Sequence, residues 1–440
     1  MAIIGTYDGP LGALEPRLRE RKIAFGVDER GQICLVRPDS VVLEFDESGV
    51  DAVRRDVIDA DDIEVLGGAP ERQPTPGLIG ARRLPSARSG ERPWGTAELN
   101  VLMDRLQSDR YVVRPNHVYL AGGVSRQHGI VDDGRSTGTP GFYAPKNVAS
   151  TARASAPPPP FPDRLDLPGR RRPNVLVLDS GLRTSGGVVE HPLLDNCVIH
   201  DGWLDRSITR FNDEDEPDDD GRGRLDAQAG HGTFISGIIR RICPDAVIHT
   251  RGVLTSYGDG DDASVDASIK RAIATIGDGI DVVVMSFGTY GDNDEPPPAM
   301  REAISGLAGS SVVVAAAGND ATSRSYFPAA LPGVIGVGAL DGDGRAAFSN
   351  FGPWVDACAP GVDVVSTFFC DFDDAGDVGD AMTHWRGWAR WSGTSFSAPV
   401  VAALIARRMY VDDSAAPDAW VRLSESAGMR LPGLGAVFNA

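Results

Sequence analysis

Four residues of this 440-residue chain have types and settings from which a reaction could be built. Ser395 lies in Trp391-Ser-Gly-Thr-Ser-Phe-Ser-Ala-Pro399, just ahead of the apolar run Val400–Ala406, which reads as a buried helix. A serine at a helix start faces unpaired backbone N–H groups, and these favour negative charge developing on a reacting oxygen. The place suits a nucleophile, and it equally suits an N-cap. His231 stands in Gly230-His-Gly-Thr-Phe-Ile-Ser-Gly237, at the head of an apolar helix. Flanking glycines let other groups approach an imidazole closely, although an isolated histidine is more often structural. Asp179 ends the run Val175-Leu-Val-Leu and precedes Ser-Gly. That is where a parallel sheet presents a carboxylate at its crevice, or where an aspartate makes a turn. Asn319 follows Ser311–Gly318, and its amide offers a donor for an oxyanion or an ordinary Gly-Asn turn. Each is ambiguous alone. Together they supply a nucleophile, a base, an orienting acid and an oxyanion donor in the order Asp, His, Ser.

The elements around them must hold that set. Val175–Leu178, Val247–Arg251, Asp281–Met285, Ser311–Ala316 and Gly333–Gly338 are short and almost continuously apolar, as strands buried on both faces should be. Ala263–Ile276 and Glu302–Ala308 read as helices between them. The pattern predicts an α/β fold with a mostly parallel central sheet covered by helices. Earlier in the chain, Ile33–Val36, Val41–Phe45, Ile63–Leu66 and Tyr111–Tyr119 read as strands. Ser48–Ala60 and Thr96–Gln107 read as helices, and Gly67–Gly95 as a loop, which suggests a small α+β domain of the split βαβ kind. The small-residue and proline run Ala149–Pro162 reads as a linker. The expected division is therefore 1–145, a linker at 146–171, and 172–440.

Bulk properties restrict the partners. A formal net charge of −19 argues against nucleic acid, because a phosphate backbone needs a basic face. No apolar run reaches the length of a membrane span. The N-terminus lacks a basic segment followed by a long apolar stretch, so a cytoplasmic location is expected, with secretion as the alternative. Five scattered cysteines, without metal spacing, read as free or buried thiols.

The four segments around Asp179, His231, Asn319 and Ser395 resemble the subtilisin-like serine peptidases, the subtilases, over about residues 172–440. The resemblance implies a serine endopeptidase working through an acyl-enzyme, with Asp179, His231 and Ser395 as its triad and Asn319 as oxyanion donor. It further implies that Ser286, Phe287 and Gly288 pair with extended substrate backbone, and that Ala316, Ala317 and Gly318 wall the pocket for the residue before the cut. Gly252–Gly260 resembles the facing edge of the same cleft. The runner-up is a catalytically silent or self-inhibited peptide-binding module on the same fold.

Subtilase propeptides are small α+β domains, and Tyr111–Leu120 resembles the last strand of one. On that resemblance the N-terminal domain is an inhibitor of the site, alongside a polypeptide substrate as partner; the runner-up is a permanent recognition domain tethered by the proline linker. No cofactor is required for the chemistry, and structural calcium is an alternative at the acidic run Asn212–Gly221, which otherwise is a solvated charge run or an attractor of basic substrates. Phe234 and Phe396 stand where the family more often has histidine and methionine. The stretch Cys370–Trp391 is longer than the family's shortest, and its tryptophans read as packing or as a substrate-contacting flap.

Overall fold

A computed structural model of the chain describes residues 23–27, 33–66, 77–84, 96–121, 161–185, 188–195, 197–199, 215–219, 221–276, 279–307, 311–375 and 383–439. Most of the expected linker, residues 149–160, and part of the acidic run, residues 212–214 and 220, lie outside these.

The central sheet is built from the apolar runs. Its order is Arg430–Leu431, Gly435–Val437, Ala357–Pro360, Val334–Asp341, Val312–Ala316, Val282–Met285, Asn174–Asp179, Val247–Gly252 and Cys197–Ile199. From Gly435–Val437 to Cys197–Ile199 every pairing is parallel. Alternate side chains on each strand face opposite ways. Val175, Val177, Val282, Val284, Val312 and Val314 thus share one core with the helices His231–Ile242 and Thr394–Asp412. Leu176, Leu178, Val283, Met285, Val313 and Ala315 share another with Val265 and Ile269 of Asp262–Ile276 and with Met300 and Ala303 of Pro298–Leu307. Two covered faces explain why these strands carry no polar alternation.

The chain order reverses around Asn174–Asp179. Its neighbours are Val247–Gly252 on one side and Val282–Met285 on the other. Loops from the carboxyl ends of such strands diverge and leave a crevice between them. Asp179 is the last residue of the strand that lies at this point.

A second sheet of antiparallel strands lies over the Asp262–Ile276 helix. Val112–Ala121 pairs with Ile33–Phe45, which pairs with Gly77–Arg83, and that strand pairs with Ile63–Leu66. Leu99 and Leu102 of the helix Thr96–Arg105 close its core with Val36, Val41, Leu43 and Val57. At Gly80 the sheet approaches the helix so closely that a Cβ would lie 2.9 Å from the Cβ of Ala263.

Three sequence expectations change here. The two strands expected at Ile33–Val36 and Val41–Phe45 are one, Ile33–Phe45, with its register interrupted between Val36 and Val41. Pro38 falls within that irregularity, where a missing N–H is tolerated, and Ser40 Oγ accepts a hydrogen from Asn116 Nδ2 at 3.0 Å. The expected loop Gly67–Gly95 contains the strand Gly77–Arg83, which is held by pairing on both sides despite its two glycines and two arginines. The helix expected at Ser48–Ala60 is a succession of short turns, Glu47–Gly49, Val50–Val53 and Arg54–Ile58.

Candidate active site

Asp179 Oδ1 accepts the Ser180 N–H at 2.8 Å and lies 2.7 Å from His231 Nδ1. A carboxylate in this bond can only accept, so Nδ1 carries the hydrogen and Nε2 keeps its lone pair. His231 opens the helix His231–Ile242, and the chain enters it through Gly230 at φ 82°. Both flanking glycines are sterically required. A Cβ at Gly230 would meet the Phe368 ring at 2.2 Å, and one at Gly232 would meet the Gly181 carbonyl oxygen at 2.3 Å. The imidazole is walled by Trp391 and Phe396, each with its ring centroid 5.4 Å away. Phe234 packs on Phe396 at 4.6 Å, so the two phenylalanines that depart from the family's usual residues form one aromatic cluster.

Ser395 is the second residue of the helix Thr394–Asp412 and is buried. Its hydroxyl donates to the Ser286 carbonyl at 3.0 Å, and Ser286 Oγ donates back to the Ser395 carbonyl at 2.9 Å. Asn319 Oδ1 accepts both the N–H of Thr394 at 2.8 Å and its hydroxyl at 3.0 Å. Those two donors fix the amide's orientation and turn Nδ2 the other way; a Cβ at Gly393 would sit 3.4 Å from it. Thr394 is a positioning residue that the sequence reading did not single out.

Asp215 was also missed. Its buried carboxylate accepts the Ser180 hydroxyl at 2.9 Å and the Gly230 N–H at 2.7 Å. Ser180 Oγ in turn accepts the Gly232 N–H at 3.0 Å. The neighbours of Asp179 and of His231 are thereby tied together. Burial pushes the Asp215 carboxyl well above the usual aspartate range, with the bonds from Ser180 and Gly230 opposing the shift. Its only sequence signal was membership of an acidic run.

The cleft has a floor and a rim. Phe287–Gly288 forms the floor strand, immediately after Ser286, and Asp259–Asp261 forms the rim. Ala316 ends the strand Val312–Ala316 and Ala317 and Gly318 follow it; all three are buried. Between floor and rim runs the end of Val112–Ala121. Leu120 is opposite Gly288 and Ala121 opposite Phe287 on one side; Leu120, Tyr119 and Val118 face Asp259, Gly260 and Asp261 on the other. Arg37 of the same N-terminal sheet is buried against the rim, 2.7 Å from Asp259 and 3.1 Å from Asp261.

The family profile of the subtilases matches residues 171–424. The chain belongs to the subtilase family. It is 33% identical over 244 residues to the thermophilic serine proteinase of Bacillus sp. (strain AK1), covering 53% of this chain and 51% of that one. It is 27% identical over 341 residues to subtilisin-like protease 2 of Pseudogymnoascus destructans, covering 72% and 78%. Over 189 residues it is 32% identical to the minor extracellular protease Epr of Bacillus subtilis, covering 40% and 26%. The chain spans about half the length of the first of these relatives. The cytoplasmic location expected above gains no support from such relatives.

Two nested antiparallel pairings frame the long stretch before Ser395. Val364–Thr367 pairs with Trp388–Trp391, and Phe372–Asp374 with Thr383–Trp385. Trp385 and Trp391 are buried in the core beside Phe368, which is packing, although Trp391 also meets His231. All five cysteines are free. Among the described residues no three His, Cys, Asp or Glu side chains converge as a metal site, and no helix is long and apolar enough to cross a membrane. Asp218, in the described part of the acidic run, accepts the N–H groups of Arg222 and Gly223.

Proposed function

We propose that this subtilase is a serine endopeptidase whose N-terminal segment, about residues 1–145, covers and inhibits a catalytic segment of about residues 172–440. One observation carries the reading. The strand Val112–Ala121 lies antiparallel between the rim and the floor, as an extended substrate would, and runs toward Ser286, whose carbonyl receives the Ser395 hydroxyl. Strand addition of this kind recognises polypeptide backbone and places its carbonyls in series past the serine. A small ester would need neither edge.

In the proposed reaction His231 Nε2 removes the proton from Ser395 Oγ as that oxygen attacks the carbonyl carbon of the peptide bond. Asp179 holds the ring and stabilises the imidazolium. Asn319 Nδ2 and the Ser395 N–H, at the helix start, receive the oxyanion. The imidazolium then protonates the leaving amine, and water, deprotonated by His231, releases the acyl group from Ser395. A substrate N–H arriving at the Ser286 carbonyl would compete for the acceptor that now holds the Ser395 hydroxyl, freeing it to turn to His231. Substrate binding and activation of the nucleophile would then be one event.

The silent-module alternative keeps the same cleft but needs no reactive serine. A fluorophosphonate probe separates the two. Labelling of the full chain that is lost in Ser395→Ala, together with cleavage of an unstructured protein, supports the peptidase. Absence of both, after the N-terminal segment has been displaced by limited proteolysis, would sink it. Mass spectrometry of the products of the full chain, and of their location in the native source, tests self-processing and the secreted alternative together.

A further inference from the structure

A side chain fills the gap between the two segments that reach the Thr394-Ser395 helix start. Val282–Met285 and Val312–Ala316 are neighbouring parallel strands, continued by Ser286-Phe287-Gly288 and by Ala317-Gly318-Asn319. Ser286 bonds to Ser395, and Asn319 to Thr394. Tyr326 lies between these continuations. It is fully buried, and its ring rests against two glycines, one from each segment. A Cβ at Gly288 would meet the ring at 2.4 Å, and one at Gly318 would meet it at 3.0 Å. The ring is held in place by its neighbours. Tyr290 packs on it edge-on with centroids 5.0 Å apart, and the Arg324 guanidinium lies over Tyr290 at 4.7 Å. The Tyr290 hydroxyl donates to Asp320 at 2.7 Å and accepts from Asn350 Nδ2 at 3.1 Å. Thr289 and Phe327 exchange backbone hydrogen bonds of 2.8 and 2.9 Å, which pins the residue after Tyr326 to the end of the floor strand.

That gap is where the residue before the cut must send its side chain. Leu120 is opposite Gly288 and Ala121 opposite Phe287, so a substrate continued in this register has its next residue opposite Ser286, beside Ser395. In the proposed reaction that residue gives its N–H to the Ser286 carbonyl and its own carbonyl to Asn319 Nδ2. Tied to both segments at once, its α-carbon lies over the gap, and the ring of Tyr326 takes the space a side chain would enter. The Tyr326 hydroxyl also donates to the Leu120 carbonyl at 3.2 Å, so the residue that fills the slot also holds the backbone running past it. In the sequence Ala121 is followed by Gly122 and Gly123. Glycine, with no Cβ, is the residue that asks no room of a filled slot.

We propose that Tyr326 closes the slot for the residue immediately before the cleaved bond, so that this chain cuts after glycine and excludes large side chains there. This rests on the peptidase reading and narrows its substrates. The small residues Ala316, Ala317 and Gly318 do not make the slot roomy, because Tyr326 occupies the space they leave. A phenylalanine or leucine before the cut would have to displace a packed ring held by Tyr290, or else tilt its own carbonyl away from Ser395 and Asn319. Either costs rate, since a small misplacement of the reacting carbonyl is felt strongly. Alanine, with one methyl, displaces less.

The test uses the full chain, after whatever processing it performs itself, and three internally quenched peptides alike except for Gly, Ala or Phe at that position. Mass spectrometry fixes the bond cut. The Gly peptide is expected to exceed the Phe peptide by about 10–100-fold in kcat/KM, with the Ala peptide between them. Tyr326→Gly opens the slot and is expected to reverse the order of Gly and Phe. Tyr326→Phe keeps the slot filled and removes only the hydroxyl, so the three rates should fall together with their order kept. A Phe peptide cut as fast as the Gly peptide by the unsubstituted chain overturns the inference even if neither variant folds. So does a folded Tyr326→Gly variant that still prefers Gly. Fluorophosphonate labelling without cleavage of any of the peptides also overturns it, whereas loss of labelling as well removes the peptidase reading beneath it.

Discussion

Asp179 Oδ1 and His231 Nδ1 lie 2.7 Å apart, and both side chains are almost wholly buried. The bond fixes the tautomer that leaves Nε2 able to accept a proton. Asp179→Asn would keep the shape but present an NH2 group to the ring, favouring the opposite tautomer. An expected fall of about 10⁴-fold in kcat follows, as measured for such a change in another serine peptidase fold. Steady-state kinetics on an amide substrate, with a thermal melt as control for folding, measure it. A variant that keeps its stability and most of its kcat would remove Asp179 from the proposed role.

Asn319 has two attachments of different kinds. Its oxygen accepts two hydrogens from Thr394, and its Nδ2 is the proposed donor to the oxyanion. Asn319→Asp keeps the acceptor and removes the donor, while adding charge where the oxyanion forms. A loss of about 10²–10³ in kcat, or more, with a small change in KM is expected; that range comes from removal of such a donor in subtilisin itself. An equal rise in KM with kcat preserved would instead assign Asn319 to ground-state binding.

The central sheet was legible because burial on both faces writes itself as unbroken apolar runs, as in Val175–Leu178 and Val312–Ala316. Asp179, His231, Asn319 and Ser395 were legible for a related reason: each sits at the end of such a run or the start of a helix. Asp215 and Thr394 were not, since their significance lies in bonds to Ser180, Gly230 and Asn319 rather than in spacing. The strand Gly77–Arg83 was hidden too, because its glycine serves the approach of Ala263 and its stability comes from both neighbouring strands. The tie between Arg37 and residues more than two hundred positions away leaves no local pattern at all.

Arg37 is the buried cation between the N-terminal sheet and the rim. Asp261 also accepts the Ser264 N–H at 3.1 Å, so the rim carboxylates have partners of their own beyond it. Arg37→Met would leave two carboxylates beneath the covering sheet without their cation, and losing one partner of a buried pair costs about 3–5 kcal/mol. The expected result is a looser cover. The variant should show faster fluorophosphonate labelling of Ser395 in the full chain and faster amide exchange at Val118–Ala121. Unchanged rates of both would mean that backbone pairing alone holds the strand in the cleft.

Asp215 should give the chain a distinctive pH dependence. Burial raises its carboxyl above the ordinary aspartate range. Between its unfolded and folded pKa values the folded chain therefore binds more protons than the unfolded chain, and stability from this group falls as pH rises through that window. Asp215→Asn keeps an oxygen to accept from Ser180 and Gly230 but cannot ionise. Its melting temperature relative to the unsubstituted chain should therefore climb from about pH 4 upward and level off above the folded pKa. Asp215→Ala cannot ionise either, so its curve should rise in parallel but lie lower by the loss of both bonds, which separates charge from hydrogen bonding. A difference between Asn variant and parent that shrinks as pH rises would mean the carboxylate is held ionised, with stability lost on acidification instead.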